Sequence, residues 1–147
     1  MLTFMYRLGI AVSLAVLSNA ALAANGNPPT LYSSLARSAP ELNPTVLKSA
    51  LSAMQCAVSN GEERSERLAV IDYSQPSTAR RLWIFDLRKK TLVLRDLVAH
   101  GAKSGENFAT QFSNTEGSHQ SSLGLFRTQE SYLGTHGYSP VSYTHLR

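Results

Sequence analysis

Two rhythms of apolar and polar positions run through this chain, and the change from one to the other falls near Glu66. In the first, Leu47, Leu51, Met54 and Val58 recur at three- and four-residue intervals, the spacing of one helix face. Asn43 supplies a capping side chain, Pro44 suits the first helical position and Gly61 lies just past the end. Together they predict a helix from Pro44 to Ser59 whose apolar stripe covers one face of a following sheet. Residues 31–36 suit a shorter helix, ended by Ser38-Ala39-Pro40, and residues 25–29 read as a flexible leader rich in turn formers.

After Glu66 the period shortens to two. Residues 67–73 are apolar and β-branched, and Ser74-Gln75-Pro76-Ser77 breaks them. Residues 81–87 alternate, with Leu82, Ile84 and Asp86 on one face and Trp83, Phe85 and Leu87 on the other. Residues 90–99 alternate as well, with Leu92, Leu94 and Leu97-Val98 apolar, and the short Arg88-Lys89-Lys90 connection predicts an antiparallel hairpin. Arg80-Arg81 and Arg88-Lys89-Lys90 flank the middle strand and read as solvated ends. Residues 101–122 are rich in Ser, Asn and Gly, and a loop this long in a compact domain is usually functional or incompletely ordered. A short strand over residues 123–128 follows. The expected fold is α+β, with N-terminal helices packed on a mainly antiparallel β-sheet.

The N-terminus changes this picture for the first 23 residues. Arg7 gives a positive start, residues 8–17 are apolar apart from Gly9 and Ser13, and Ala21-Leu22-Ala23 places small residues where a signal peptidase reads. Residues 1–23 are therefore expected to be a cleavable signal peptide, an uncleaved anchor being the alternative. The expected location is outside the cytoplasm, in the periplasm or cell envelope. No later segment is apolar enough to span a bilayer, so no stable membrane span is expected after cleavage. With 147 residues and 43% hydrophobic content the chain suits one globular domain. The formal net charge of +4 is a mild bias without a concentrated patch, and nucleic acid is not an expected partner.

Cys56 is the only cysteine, so no internal disulfide can form. It lies on the helix side opposite Leu47 and Leu51, beside Ser49, Ser52 and Ser59, with no base near it in sequence. A small helix residue is the expected role, not a nucleophile. The histidines at 100, 119, 136 and 145 show no metal-ligand spacing, and neither a metal nor another cofactor is expected. Neither Gly61-Glu62-Glu63 nor Gly134-Thr135-His136-Gly137 carries the lysine of a phosphate loop, and there is no Gly-x-Ser-x-Gly elbow. Asp72 and Asp86 lie in or beside strands, where a paired-carboxylate site has little to recommend it.

The remaining phrases form an ordered set. They are Ile71-Asp72-Tyr73-Ser74-Gln75-Pro76-Ser77, Arg81-Leu82-Trp83-Ile84-Phe85-Asp86-Leu87, His100-Gly101-Ala102-Lys103-Ser104-Gly105, Phe112-Ser113-Asn114, Ser121-Ser122-Leu123-Gly124-Leu125-Phe126 and Tyr132-Leu133-Gly134-Thr135-His136-Gly137. In this order they resemble the front part of an exported murein L,D-transpeptidase catalytic domain of the YkuD-like cysteine type. The resemblance spans residues 31–139, most closely 71–137. It implies acyl transfer on peptidoglycan peptide stems, in which a histidine-activated cysteine thiolate forms an acyl-enzyme that passes to an amine or to water. The family's cysteine sits in a Ser-x-Gly-Cys phrase followed by Pro, and no such phrase occurs in this chain. No catalytic residue therefore carries over, and the chain is expected to be inactive.

The resemblance makes peptidoglycan stems the expected partner and His100, Ser104, Asn114, Ser122 and Gly124 the candidate substrate-binding residues. For His100 the competing role is to hydrogen-bond the long loop and order it, and that role is favoured, since no nucleophile pairs with it in sequence. For Ser, Asn and Gly the competing role is plain turn and edge chemistry. The competing function is a non-enzymatic secreted envelope module that binds peptidoglycan or a protein. Residues 24–139 are thus expected to be the N-terminal part of an L,D-transpeptidase-like domain, truncated before its later strands. Residues 140–147 depart from the family pattern and look like the conceptual translation of a sequencing adaptor, a non-native tail.

Overall fold

The computed structural model describes the backbone of residues 29–134 and 137–145, and the side chains as far as residue 128. The expected signal peptide, residues 1–23, lies outside the described residues. Two helices come first. In α1 (Leu31–Ser38) the Thr30 hydroxyl accepts from the Ser33 N–H at 3.1 Å, and the Ala39 N–H closes the far end on the Leu35 carbonyl. In α2 (Pro44–Ser59) the Asn43 side chain accepts from the Thr45 N–H at 2.9 Å. Its cap, first-position proline and terminal glycine (Gly61, φ +99°) are those the sequence predicts.

Three antiparallel strands follow, β1 (Arg67–Ile71), β2 (Leu82–Asp86) and β3 (Thr91–Asp96), in that order across the sheet. Their register pairs Leu68 with Phe85 and Val70 with Trp83, so these four side chains share one face. All four are buried, and Leu35, Ala39, Leu42 and Leu47 from the helical layer close over them. Trp83 and Phe85 are fully buried, and burial of such rings contributes about 3 kcal/mol each. The α+β architecture with helices on one face of an antiparallel sheet is the one expected. The middle strand presents Trp83 and Phe85 to the helices and leaves Leu82 and Ile84 half-buried on the opposite face.

β3 departs from simple alternation. Ile84 pairs with Leu94 but Phe85 pairs with Leu92, so Val93 is an extra residue bulged out of the ladder. The bulge turns Leu92 toward the core and leaves Leu94 44% exposed on the far face beside Ile84. The next residue on the core side is Arg95. Its guanidinium carbon lies 5.5 Å from the Trp83 ring, Nη1 meets Glu41 at 2.9 Å, and Nε donates to the Arg80 carbonyl. An arginine thus lids the tryptophan where another leucine would otherwise sit.

The last described elements, β4 (Phe126–Gly134) and β5 (Gly137–His145), form a separate antiparallel hairpin. The strand expected over residues 123–128 therefore begins at Phe126, because Gly124 holds φ +136°, outside the extended conformation of a strand. Residues 140–145, within the segment expected to be a non-native tail, run in β5. Arg127 joins this hairpin to the segment after α2 through Glu62 at 3.3 Å and Glu63 at 3.0 Å.

At the far end of β2, Asp86 accepts from the Lys89 backbone N–H at 2.9 Å. That bond, aided by Arg67 and the Lys89 charge, holds its carboxyl below the ordinary 3.8. A lowered carboxyl contributes stability that is present above the ordinary value and is lost as pH falls through the lowered one. Melting temperatures followed from about pH 6 to about pH 2 should therefore show the deficit of Asp86→Asn shrinking below the ordinary value. A deficit constant across that range would contradict the assignment.

Candidate functional site

The Ser- and Gly-rich segment after β3 is tied down by side chains at almost every turn. At its root, β1 ends where the Asp72 N–H donates to the Arg81 carbonyl. Asp72 is buried, and its carboxylate accepts from the Ser74 N–H at 3.0 Å, the Ser74 hydroxyl at 2.6 Å and the Gln75 amide at 3.3 Å. This turn folds on itself because an aspartate can accept from the backbone two residues on. Asp72 and Asp86 lie at opposite ends of the β1–β2 ladder, so these two do not form a paired-carboxylate site.

Arg81 stands beside that turn with no exposed surface, which corrects the reading of it as a solvated strand end. Its Nη1 donates to the Gln75 carbonyl at 2.9 Å, and Nε and Nη2 both donate to the Val98 carbonyl, at 3.2 and 3.0 Å. Nη2 also meets His100 Nδ1 at 2.7 Å. The guanidinium carbon sits 5.1 Å from the Tyr73 ring, and Tyr73 in turn touches Phe112 of the loop, ring centroids 5.7 Å apart. A buried cation costs several kcal/mol unless its donors are taken up, and here every guanidinium nitrogen has a partner.

The His100-Gly101-Ala102-Lys103-Ser104-Gly105 phrase closes on itself. His100 Nε2 lies 3.1 Å from the Gly105 carbonyl, and the Ser104 N–H donates to the Gly101 carbonyl at 2.8 Å. Arginine has no acceptor, so His100 Nδ1 accepts and Nε2–H donates, an assignment made from these partners. Fully buried Ser104 takes the Ser121 N–H on its Oγ at 2.7 Å, and its carbonyl takes the Thr110 and Gln111 N–H groups. The Gly101 N–H donates to Ser121 Oγ at 2.9 Å. Phe112 and Ser121 form a single parallel bridge, and Ser122 Oγ donates to the Ser113 carbonyl at 2.9 Å.

Of the five candidate binding residues, the structure brings His100, Ser104 and Ser122 into this loop framework, each with its side chain bonded inside it. Asn114 and Gly124 lie exposed on the same loop. Both ring nitrogens of His100 are engaged, and neither meets a thiol or hydroxyl. Cys56 is exposed on α2, where its Sγ accepts from the Asn60 amide at 3.5 Å. No hydrogen bond couples it to His100 or His119 among the described residues. Sequence reasoning missed Arg81, and also Asp72 as a turn organiser; the phrase around residues 71–77 was the available signal for Asp72 alone.

A groove of about 410 Å³ lies between α2 and the β2–β3 turn, lined among others by Met54, Val58, Arg64, Leu87 and Arg88. It sits at the opposite end of the β1–β2 ladder from the loop framework. Among the described residues there is no group of three metal-ligating side chains, and no helix is long and apolar enough to cross a membrane.

The family model of the L,D-transpeptidase catalytic domain matches residues 38–141. The chain belongs to this family. The match takes in α2, the three-stranded sheet and the whole His100 loop of the L,D-transpeptidase domain, together with most of the fold's ordered core. No curated protein and no solved structure matches the chain. The two helices and the antiparallel sheet are consistent with a small α+β domain of this family.

Proposed function

We propose that this L,D-transpeptidase domain is exported to the periplasm or cell envelope and there contacts the peptide stems of peptidoglycan. The observation that carries the reading is the family match over residues 38–141. Export is supported by the charged start, short apolar run and Ala-Leu-Ala site of residues 1–23. Contact with the stem is assigned to the outer surface of the His100 loop, where Asn114 and Gly124 are exposed. His100, Ser104 and Ser122 serve this surface from within by holding its shape.

Acyl transfer needs a thiolate activated by a base and a cradle for the oxyanion. Cys56 has neither in its surroundings, and the sequence holds no Ser-x-Gly-Cys phrase, so residues 24–147 alone are proposed to bind without reacting. Titration of ¹⁵N-labelled residues 24–147 with a murein tetrapeptide stem tests the binding half. Shift changes are expected at residues 102–124, with α2 unmoved. Changes centred on the groove beside Met54 and Leu87, or none anywhere, would overturn this assignment.

A further inference from the structure

We infer that Arg81 is the positioning residue of the His100 loop: from a fully buried site it fixes the His100 imidazole, and through it the surface assigned to the stem peptide. The inference rests on the functional reading above only for that last clause.

Arg81 makes no salt bridge among the described residues, although it has no exposed surface. Its charge is met by the Gln75 and Val98 carbonyls, the Tyr73 ring and His100 Nδ1. If bulk packing alone were needed at the root of β2, a leucine would fill the space without desolvating a cation. What a guanidinium adds is a rigid fork that holds several acceptors at fixed angles. Here the acceptors belong to two segments: the 72–77 turn, and the stretch after β3 that carries both Val98 and His100.

The contact at 2.7 Å decides the next link, because only a bare Nδ1 can take a guanidinium hydrogen. The proton then sits on Nε2, facing the Gly105 carbonyl at 3.1 Å. With Gly105 drawn to His100, the Ser104 carbonyl is placed to receive Thr110 and Gln111, and its Oγ to receive Ser121. Arg81 thus reaches the loop's outer half without touching it. Gly105 permits the bend, since at φ +141° a Cβ would lie 2.2 Å from the Phe108 carbonyl oxygen.

The test uses the chain from residue 24 to 147, with ¹⁵N-labelled histidine and four variants. In the parent, His100 should show one unprotonated nitrogen, Nδ1, and a slowly exchanging Nε2–H. Arg81→Lys keeps a cation but not the fork, and should give averaged ring nitrogens. It should also speed amide exchange at Ser104, Thr110, Gln111 and Ser121 by roughly tenfold, while Val70 and Phe85 stay protected. Arg81→Met should do the same or more. Because a change at a buried site can unfold the chain, two variants act at the half-buried partner. His100→Gln offers an acceptor and a donor in the same order and should keep the loop protected, whereas His100→Leu should not. Protection in His100→Leu equal to the parent, or a protonated Nδ1 in the parent, would overturn the inference. Stem peptide should bind His100→Gln as it binds the parent, and His100→Leu more weakly. If the parent itself binds no stem peptide, the functional reading fails, while the imidazole spectrum and the exchange rates still decide the role of Arg81.

Discussion

Replacing Gly101 by alanine is expected to free the loop over residues 101–122 from its folded path while the helix–sheet core stays intact. An added Cβ would stand 2.4 Å from the His119 carbonyl oxygen and 2.8 Å from both the Gln120 carbonyl carbon and the Ser121 nitrogen. All three are backbone atoms, so no side chain can swing aside. The His119 oxygen also receives the Lys103 N–H, and Ser121 supplies the hydroxyl that holds the Gly101 N–H. Overpacking of this kind costs roughly 3 kcal/mol, and the loss cannot exceed the energy of opening the loop alone. Amide exchange at Lys103, Ser104 and Ser121 should accelerate by about a hundredfold, with Leu47 and Phe85 nearly unchanged. Gly117→Ala is the control. Unlike Gly101 it holds a positive φ, +74°, but it has nothing within 4 Å, so only backbone strain of about 1 kcal/mol is expected. Equal behaviour of the two variants would show that close approach is not what selects glycine at 101.

The other large effect concerns the core. Phe85→Ala should destabilise the domain by about 4 kcal/mol, a large share of what a small domain has. Phe85 is fully buried and is flanked in register by Leu68 and Leu92, with the helical layer above it. Backbone on three strands limits how far the cavity can collapse, which is why the upper half of the usual range applies. Val93→Ala, one strand away, removes a side chain that is 51% exposed at the bulge and should shift stability by less than about 0.5 kcal/mol. Chemical denaturation of both variants measures the contrast, and similar midpoints would disprove the placement of the core.

These residues also show what the sequence could and could not disclose. Helix α2 was legible because its stop and start signals are local: Asn43, Pro44 and Gly61 act on neighbours a few positions away. That Trp83 and Phe85 share a face followed from strict alternation in β2, and the structure makes it the buried one. The bulge at Val93 was not legible, since an extra residue in a run of Leu-Val-Leu leaves the apolar pattern looking unbroken. Arg81 was misread for a different reason. Next to Arg80 at a strand start it resembles a solvated pair, and its burial depends on Val98 and His100, 17 and 19 residues downstream. Gly101 is similar: the backbone that excludes a Cβ arrives from positions 119–121. Of the candidate site, the phrases located the loop, and the favoured role of His100 as its organiser agrees with two bonds made by its ring. What the phrases could not show was which side chains face inward, because that is fixed by contacts between segments rather than by residue type.

Binding of the stem without reaction is what we propose for residues 24–147 of this L,D-transpeptidase domain. Intact-mass analysis after incubating residues 24–147 with murein tetrapeptide stems tests it most directly. An unchanged protein mass is expected, with no cross-linked or hydrolysed muropeptide. A thioester adduct on Cys56, or any turnover that Cys56→Ser abolishes, would contradict it.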